Sequence, residues 1–282
     1  SFRGYLRDLR PARRQESCAV KRIYILGAGT MQIPAIDAAH GFGWEVVCAD
    51  GNPRAAGRKK ADHFEHIDLK DEQSLARSVC AWKSSPGLDG VFTAGTDFST
   101  AVAYCAQEAG LPGIPYTSAL KATDKLLMRV AFDSAGVPSA RFRGVSSAAE
   151  GAAALEAVGL PAVVKPVDNM GARGIRRVDS VSDFQEALKE ALSLSRRGRA
   201  IVEEYLEGPE FSLDALIYRG TFTLCGIADR HIRFAPYFVE IGHTMPTALF
   251  SAAREPIVEV FRRGAAALGI ENGAAKGDIK LT

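Results

Sequence analysis

From Val20 onward, short apolar runs alternate with stretches of helical spacing. The run Ile23 to Leu26 predicts a strand, Ile33 and Ile36 mark a helix, and Glu45 to Ala49 predicts a second strand closing on Asp50. A helix is predicted from about Asp71 to Trp82, a strand at Gly90 to Thr93, and a helix from about Phe98 to Ala109 that Gly110 and Pro112 end. Strand and helix in alternation predict a parallel α/β opening, with two or three βα units in the first ~115 residues.

Pro112 and Pro115 mark a boundary. Beyond it Thr123-Asp124 sits where a helix cap belongs, and Leu126, Leu127, Val130 and Ala131 recur at helical spacing as far as Gly136 and Pro138. An Ala-rich helix ending at Gly159, a strand at Ala162 to Lys165 and a helix from Ser182 follow, the last with Ser182 and Gln185 spaced as a capping box. The remaining pattern predicts strands at Ile201 to Leu206, Phe211 to Ile217 and Thr221 to Ala228, a helix from about Glu255 to Leu268, and a strand at Ala274 to Leu281. Alternation of Phe211, Leu213, Ala215 and Ile217 predicts an antiparallel sheet with one buried face.

Composition narrows the class. A chain of 282 residues that is 47% hydrophobic folds, and its length favours more than one unit. With 35 basic and 33 acidic residues there is no global field to draw nucleic acid or an anionic membrane. The five cysteines, Cys18, Cys48, Cys80, Cys105 and Cys225, form no CxxC pair, and no apolar run reaches the ~20 residues that span a bilayer, so a reducing cytoplasmic setting is expected. Residues 1–19 carry Arg3, Arg7, Arg10, Arg13 and Arg14, and are read as a basic arm that is solvated rather than bound to nucleic acid or lipid.

Gly27-Ala28-Gly29 after the first strand, with Asp50 after the second, invites a dinucleotide reading. The third glycine of that fingerprint is replaced by Gln32. The turn is therefore read as a tight turn, with Asp50 a strand-end residue.

A more specific set lies further on. Lys125 begins a helix and Lys165 ends a strand, with Asp168-Asn-Met-Gly-Ala-Arg-Gly-Ile175 directly after. A triphosphate carries about four negative charges, and each lysine contact to it is worth ~1.5–3 kcal/mol. Gly171 and Gly174 let backbone N–H groups approach phosphate oxygens. Read alone this is a hairpin turn, but its place after a strand-terminal lysine aims both at the same anion. In the segment from Ile201 to Leu216, Glu203, the Leu206 backbone and Glu210 offer what adenine and ribose require. A half-buried strand with a solvated acidic face is the plainer alternative.

Taken in order, these motifs resemble the ATP-grasp superfamily from residue 20 to the end, of the carboxylate–amine ligase type and similar to L-amino-acid ligases. The resemblance implies an α/β chain: a Rossmann-like leading domain over 20–117, then an ATP-grasp α+β fold over 118–282 with a small lid subdomain at about 138–202. It implies ATP and Mg2+ as cofactors. Lys125 and Lys165 become the phosphate lysines, with Lys165 and Arg173 in catalytic roles, and Asn169, Met170, Gly171, Ala172, Gly174 and Ile175 the phosphate-covering loop. Glu203, Glu204, Tyr205 and Leu206 take the adenine positions and Glu210 the ribose position. Glu240 and His243 in YFVEIGHTMP match substrate contacts of L-amino-acid ligases, and a turn histidine is an equal reading of His243.

Asp278 in KGDIK matches the family's first magnesium ligand. A second strand with a Glu-x-Asn-x-Arg motif is expected next, and the sequence stops at Thr282, so as written the metal site is incomplete and this chain is expected to turn over little or not at all. The implied reaction is formation of an acyl phosphate and its capture by an amine, releasing ADP and phosphate. Small carboxylates and amines, amino acids among them, are the expected partners, with a homodimer compatible and neither nucleic acid nor membrane involved. The alternatives are a bicarbonate-activating or carbamoyl-phosphate-like enzyme and a non-catalytic nucleotide-binding module.

Overall fold

The computed structural model describes residues 20–248 and 251–282, and the basic arm with Cys18 lies outside the described residues. Backbone packing divides the chain into two compact units, with the division between Thr96 and Asp97.

The first unit runs β1 (Arg22–Leu26), α1 (Ile33–Gly41), β2 (Glu45–Ala49), β3 (His63–Glu65), α2 (Glu72–Ser84) and β4 (Gly90–Phe92). Its sheet has the order β3-β2-β1-β4, all parallel. Ile25, Ile36, Val46 and Cys48 form a core between sheet and helix. The glycine turn is closed by its own neighbours. Asp50 accepts the Ala28 N–H at 2.8 Å and the Asn52 N–H at 2.7 Å, while Gln32 folds back to accept the Gly29 N–H at 2.9 Å. The acid and the third fingerprint position thus serve the local turn, as the sequence suggests.

In the second unit α3 (Ser99–Glu108), α4 (Tyr116–Thr123) and α5 (Lys125–Ser134) precede two antiparallel sheets. The first sheet, in the order β5-β8-β6-β7, uses β5 (Phe142–Val145), β6 (Ala162–Pro166), β7 (Arg176–Val178) and β8 (Ala200–Glu204). Helices α6 (Ala148–Val158) and α7 (Val181–Leu194) complete this layer, whose core joins Val158, Val164, Phe184, Leu188 and Val202. The second sheet, in the order β11-β10-β9-β12, uses β9 (Glu210–Tyr218), β10 (Thr221–Arg233), β11 (Val239–Thr244) and β12 (Gly273–Lys280). Odd-numbered Phe211, Leu213, Ala215 and Ile217 of β9 pack with Ile257 and Phe261 of α8 (Ser251–Ala267). Period-two alternation puts Glu210, Ser212 and Asp214 on the opposite face.

Several details depart from the sequence expectation. Helix α7 is capped by Ser180, which accepts the Asp183 N–H at 3.2 Å, rather than by Ser182. Both serines suit a cap, and burial of Phe184, Ala187 and Leu188 decides the phase of the helix. Helix α4 falls in the stretch read as a boundary, because Pro115 is its N-cap rather than a breaker. Strands β3, β5, β7 and β11 are not marked by apolar alternation. By contrast Asp124 caps α5 as expected, accepting the N–H groups of Leu126 and Leu127 at 3.0 and 3.1 Å.

Leu213 is fully buried between β9 and α8. Leu213→Ala is expected to destabilise the second unit by ~2–5 kcal/mol, read as a lower denaturation midpoint.

Candidate functional site

The side chains of α5, β6 and β8 build a charged cluster. Asp124 fixes the first turn of α5, so Lys125 emerges at its N-terminus and its backbone N–H reaches Val167 O at 2.9 Å. Arg129 follows one helical turn later, on the same side. Lys165 and Glu203 come from neighbouring antiparallel strands of the first sheet. Glu203 is 3% exposed and holds both cations: its Oε1 accepts from Arg129 Nε at 2.6 Å, and its Oε2 pairs with the Lys165 ammonium. Burial pushes the Glu203 carboxyl up, but Lys165 and Arg129 outweigh it and bring the pKa to about 2.

Lys125 has a different environment. Burial first, and then the neighbouring Lys165 charge, hold its ammonium below the ordinary lysine range against the opposing pull of Glu203, Asp168 and Asp124. Its Nζ donates to the carbonyl of Asn169 at 2.5 Å, so the lysine bridges α5 to the glycine-containing loop.

That loop leaves β6 and turns back into β7. Gly171, Ala172 and Gly174 have φ of 66°, 57° and 75°. Gly174 needs glycine twice over, since a Cβ would also lie 2.8 Å from Leu194 and 2.9 Å from Pro166. Asn169 anchors the loop to Leu194 O at 3.2 Å, and Ile175 N–H closes a turn on Ala172 O at 3.2 Å. Met170 is half-buried and Arg173 exposed.

After β8 the chain passes Glu204, Tyr205 and Leu206. Glu204 accepts twice from Arg141, at 2.8 Å each, and the Tyr205 N–H reaches Pro161 O at 3.0 Å. Two cations lie over the Tyr205 ring, Arg177 at 4.2 Å and Lys280 at 5.2 Å from its centroid. A cleft of about 420 Å³ opens here, lined among others by Arg177, Tyr205, Glu210, Arg230, Phe234 and Lys280.

The polar face of the second sheet continues the cleft. Register sets His243 of β11, Arg230 of β10, Glu210 of β9 and Lys280 of β12 in one row. Glu240 accepts from Arg230 Nη2 at 2.6 Å, and that hydrogen bond, ahead of other causes, holds its carboxyl below the ordinary range. His243 Nδ1 lies 3.7 Å from Glu240. Asp278 lies 3.1 Å from Arg230 and 2.9 Å from Lys276. Ser212, its register partner on β9, is 4% exposed, and its Oγ has no hydrogen-bond partner.

The residues singled out in the sequence thus fall into two groups. Lys125, Lys165, Glu203 and the 169–175 loop meet around the first sheet, while Glu210, Glu240, His243 and Asp278 share the polar face of the second. Among the described residues no group of three or more His, Cys, Asp or Glu is placed to hold a metal unaided. One carboxylate and a buried unpaired hydroxyl do suit magnesium, which takes most of its ligands from phosphate and water. Sequence reasoning missed Arg129 and Arg230. The first is recoverable from its four-residue spacing after Lys125, the second from the pairing of β10 with β9.

Residues 158–282 match the ATP-grasp domain family. The alanine–anticapsin ligase of Bacillus subtilis strain 168 is 25% identical over 254 residues, which cover 79% of this chain and 53% of that enzyme. The formate-dependent phosphoribosylglycinamide formyltransferase of Burkholderia pseudomallei strain 668 is 28% identical over 265 residues, 90% of this chain and 64% of that enzyme. In structure, the L-amino acid ligase from Bacillus licheniformis shares the fold with a TM-score of 0.78 at 24% identity, over 93% of this chain and 63% of that one. The chain spans about half the length of the alanine–anticapsin ligase and under two thirds of the formyltransferase. No helix among the described residues is long and apolar enough to cross a membrane.

Glu203→Gln is expected to destabilise the fold by about 3 kcal/mol, since it leaves Lys165 and Arg129 without their anion. The pH dependence has a definite sign. A carboxyl lowered from 4.5 to about 2 on folding contributes stability that is complete above pH 4.5 and is lost as pH falls towards 2. Acid denaturation followed by circular dichroism should be shallower in this window for the variant than for the parent.

Proposed function

With an ATP-grasp domain in the chain as premise, we propose that the protein serves an ATP-dependent carboxylate–amine ligase, which forms an acyl phosphate and passes its acyl group to an amine with release of ADP and phosphate. The observation that carries the reading is the gathering of Lys125 and Lys165 next to the Asn169–Ile175 loop, Lys125 bonded to the Asn169 carbonyl and Lys165 paired with the buried Glu203. The Lys165 charge opposes the Lys125 ammonium, and a triphosphate would relieve that repulsion for both lysines.

In this reading Lys125, Lys165, Arg173 and the backbone N–H groups of the loop hold the phosphates. Catalysis by such groups rests on position and charge, because the transferred phosphoryl needs little covalent help. Glu203, Glu204, Tyr205 and Leu206 border the adenine, with Tyr205 kept in place by its two cations, and Glu210 addresses the ribose. Asp278, with the Ser212 hydroxyl beside it, would hold Mg2+, which when bound draws charge from the transferring phosphoryl. Glu240 and His243 contact the acyl or amine substrate.

Amino acids are the proposed substrates, following the ligase relatives in which alanine or L-amino acids are named. A second reading has a specific basis: the relative named as formate-dependent suits a one-carbon carboxylate, and bicarbonate belongs to the same class. ADP release by the natural full-length protein, across amino-acid pairs and with formate or bicarbonate, separates the two. Release that needs neither a carboxylate nor an amine would overturn both.

Lys125→Ala and Lys165→Ala should each weaken ATP binding by ~1.5–3 kcal/mol in calorimetry. Their effects should not add, because both lysines act on one cluster. ATP should also bind more tightly than GTP, whose carbonyl oxygen would face the Glu203 carboxylate. Equal affinity for the two nucleotides would remove Glu203 from the adenine site.

A further inference from the structure

The short turn between α7 and β8, residues 195–199, touches both the start of α5 and the root of the glycine-containing loop. Its Arg197 makes both contacts. The guanidinium donates from Nη1 to Asp124 Oδ2 at 3.2 Å, and the main-chain N–H donates to Asp168 Oδ2 at 3.1 Å. Asp124 is 2% exposed and accepts the Leu126 and Leu127 N–H groups on its other oxygen, so one carboxylate receives both the helix cap and the arginine. The other oxygen of Asp168 is buried and has no hydrogen-bond partner among the described residues. The turn itself is braced: Ser195 Oγ accepts the N–H groups of Arg197 and Arg199 at 3.3 and 3.1 Å, and Arg196 Nη2 donates to Asp168 O at 3.1 Å. Val167, one residue earlier, donates to Arg199 O at 3.3 Å and accepts the Lys125 N–H at 2.9 Å.

These contacts close a ring, from Lys125 through Val167 to Asp168, across to Arg197, and back through Asp124 to Lys125. We propose that Arg197 is a positioning residue for the nucleotide: by tying Asp124 to the root of the loop, it sets Lys125 and the loop N–H groups at a separation from which both reach the same phosphates. This role rests on the assignment of Lys125 and the loop to the phosphates under the proposed function. The Lys125 ammonium already lies against the loop, on the Asn169 carbonyl, so the two ends of the ring meet at the place where the anion would sit.

A lysine carries its charge on a flexible four-carbon stem, so the ammonium is only as well placed as the backbone beneath it. Groups that bind one ligand together need to be held within about 0.5 Å of the productive geometry. Without the guanidinium Asp124 still caps α5, but the first turn of the helix is no longer tied through that carboxylate to the loop. The Arg197 side chain is 49% exposed, so water screens the ion pair and its value lies in direction rather than in strength. Arg197 thus acts through Lys125 and not by its own charge on the nucleotide.

The test is a double-mutant cycle in ATP affinity, measured by calorimetry on the natural full-length protein. Alanine keeps the main-chain N–H on Asp168, so Arg197→Ala cuts only the tie to Asp124. It should weaken ATP binding about tenfold in the parent, within the range over which residues in contact couple, and change nothing in Lys125→Ala. Arg197→Lys, which keeps the ion pair, should restore most of the affinity. Asp124→Asn still caps a helix but carries no charge, so it should reproduce Arg197→Ala, and the two together should lose no more than either alone. A loss of equal size with and without Lys125 would mean that the arginine acts by its own charge, and would overturn the proposal, as would no loss at all. Hydrogen exchange without nucleotide supplies a separate readout: the Leu126 and Leu127 N–H groups should exchange faster in Arg197→Ala than in the parent. Failure of the parent to bind ATP would instead sink the ligase reading, and unchanged exchange at these two groups would by itself reject the link between Arg197 and α5.

Discussion

The charge on Lys165 is the constraint around which the second unit is arranged. An ammonium at a strand end, close to a second lysine, is unstable unless an anion is built in with it, and Glu203 is that anion. Its burial makes the demand stricter, because a carboxylate with 3% exposure needs more than one partner. Arg129 supplies the second contact from α5, and the same helix carries Lys125 at its start. The direction of α5, the register of β6 on β8 and the position of the loop after β6 are thereby joined through one side chain. Moving any of them leaves a buried charge alone.

The second sheet solves the same problem on its polar face. β9 separates the two chemistries by alternation, with Leu213 and its neighbours against α8 and Glu210 and Ser212 towards the cleft. The apolar side fixes the strands, and the strands then fix charges that would not gather unaided. A one-residue slip in β9 would put Glu210 into the core and Phe211 into the cleft.

Much of this was legible in the sequence, and the reasons for the gaps are physical. β1, β2, β6 and β8 are apolar runs between clear turns, and β9 alternates, so pattern alone finds them. β7 is Arg-Arg-Val and β3 is His-Phe-Glu, both too short and too polar to carry a period of two. β11 exposes Val239, Ile241 and His243, so its pairing partner defines it rather than its composition. Of the candidate site, Lys125, Lys165 and the loop stood out only as a set, because a strand-end lysine followed at once by a glycine-containing turn puts charge and backbone donors side by side. Arg230 did not, since an arginine on a strand usually reads as a solvated side chain. Only the pairing of β10 with β9 sets it opposite Glu210.

In the first unit the glycine turn is closed from within. Gln32 reaches the Gly29 N–H through its own side chain and also lies against Gly27, where a third glycine would have left open space. It acts as a tethered competitor: because the amide is covalently attached, its effective concentration at that N–H is in the range of ~mM or above, higher than most free anions reach in solution. A phosphate approaching this turn would have to displace a ligand that never diffuses away. The turn between strand and helix thus satisfies its own N–H groups, Ala28 through Asp50 and Gly29 through Gln32, and serves as a brace.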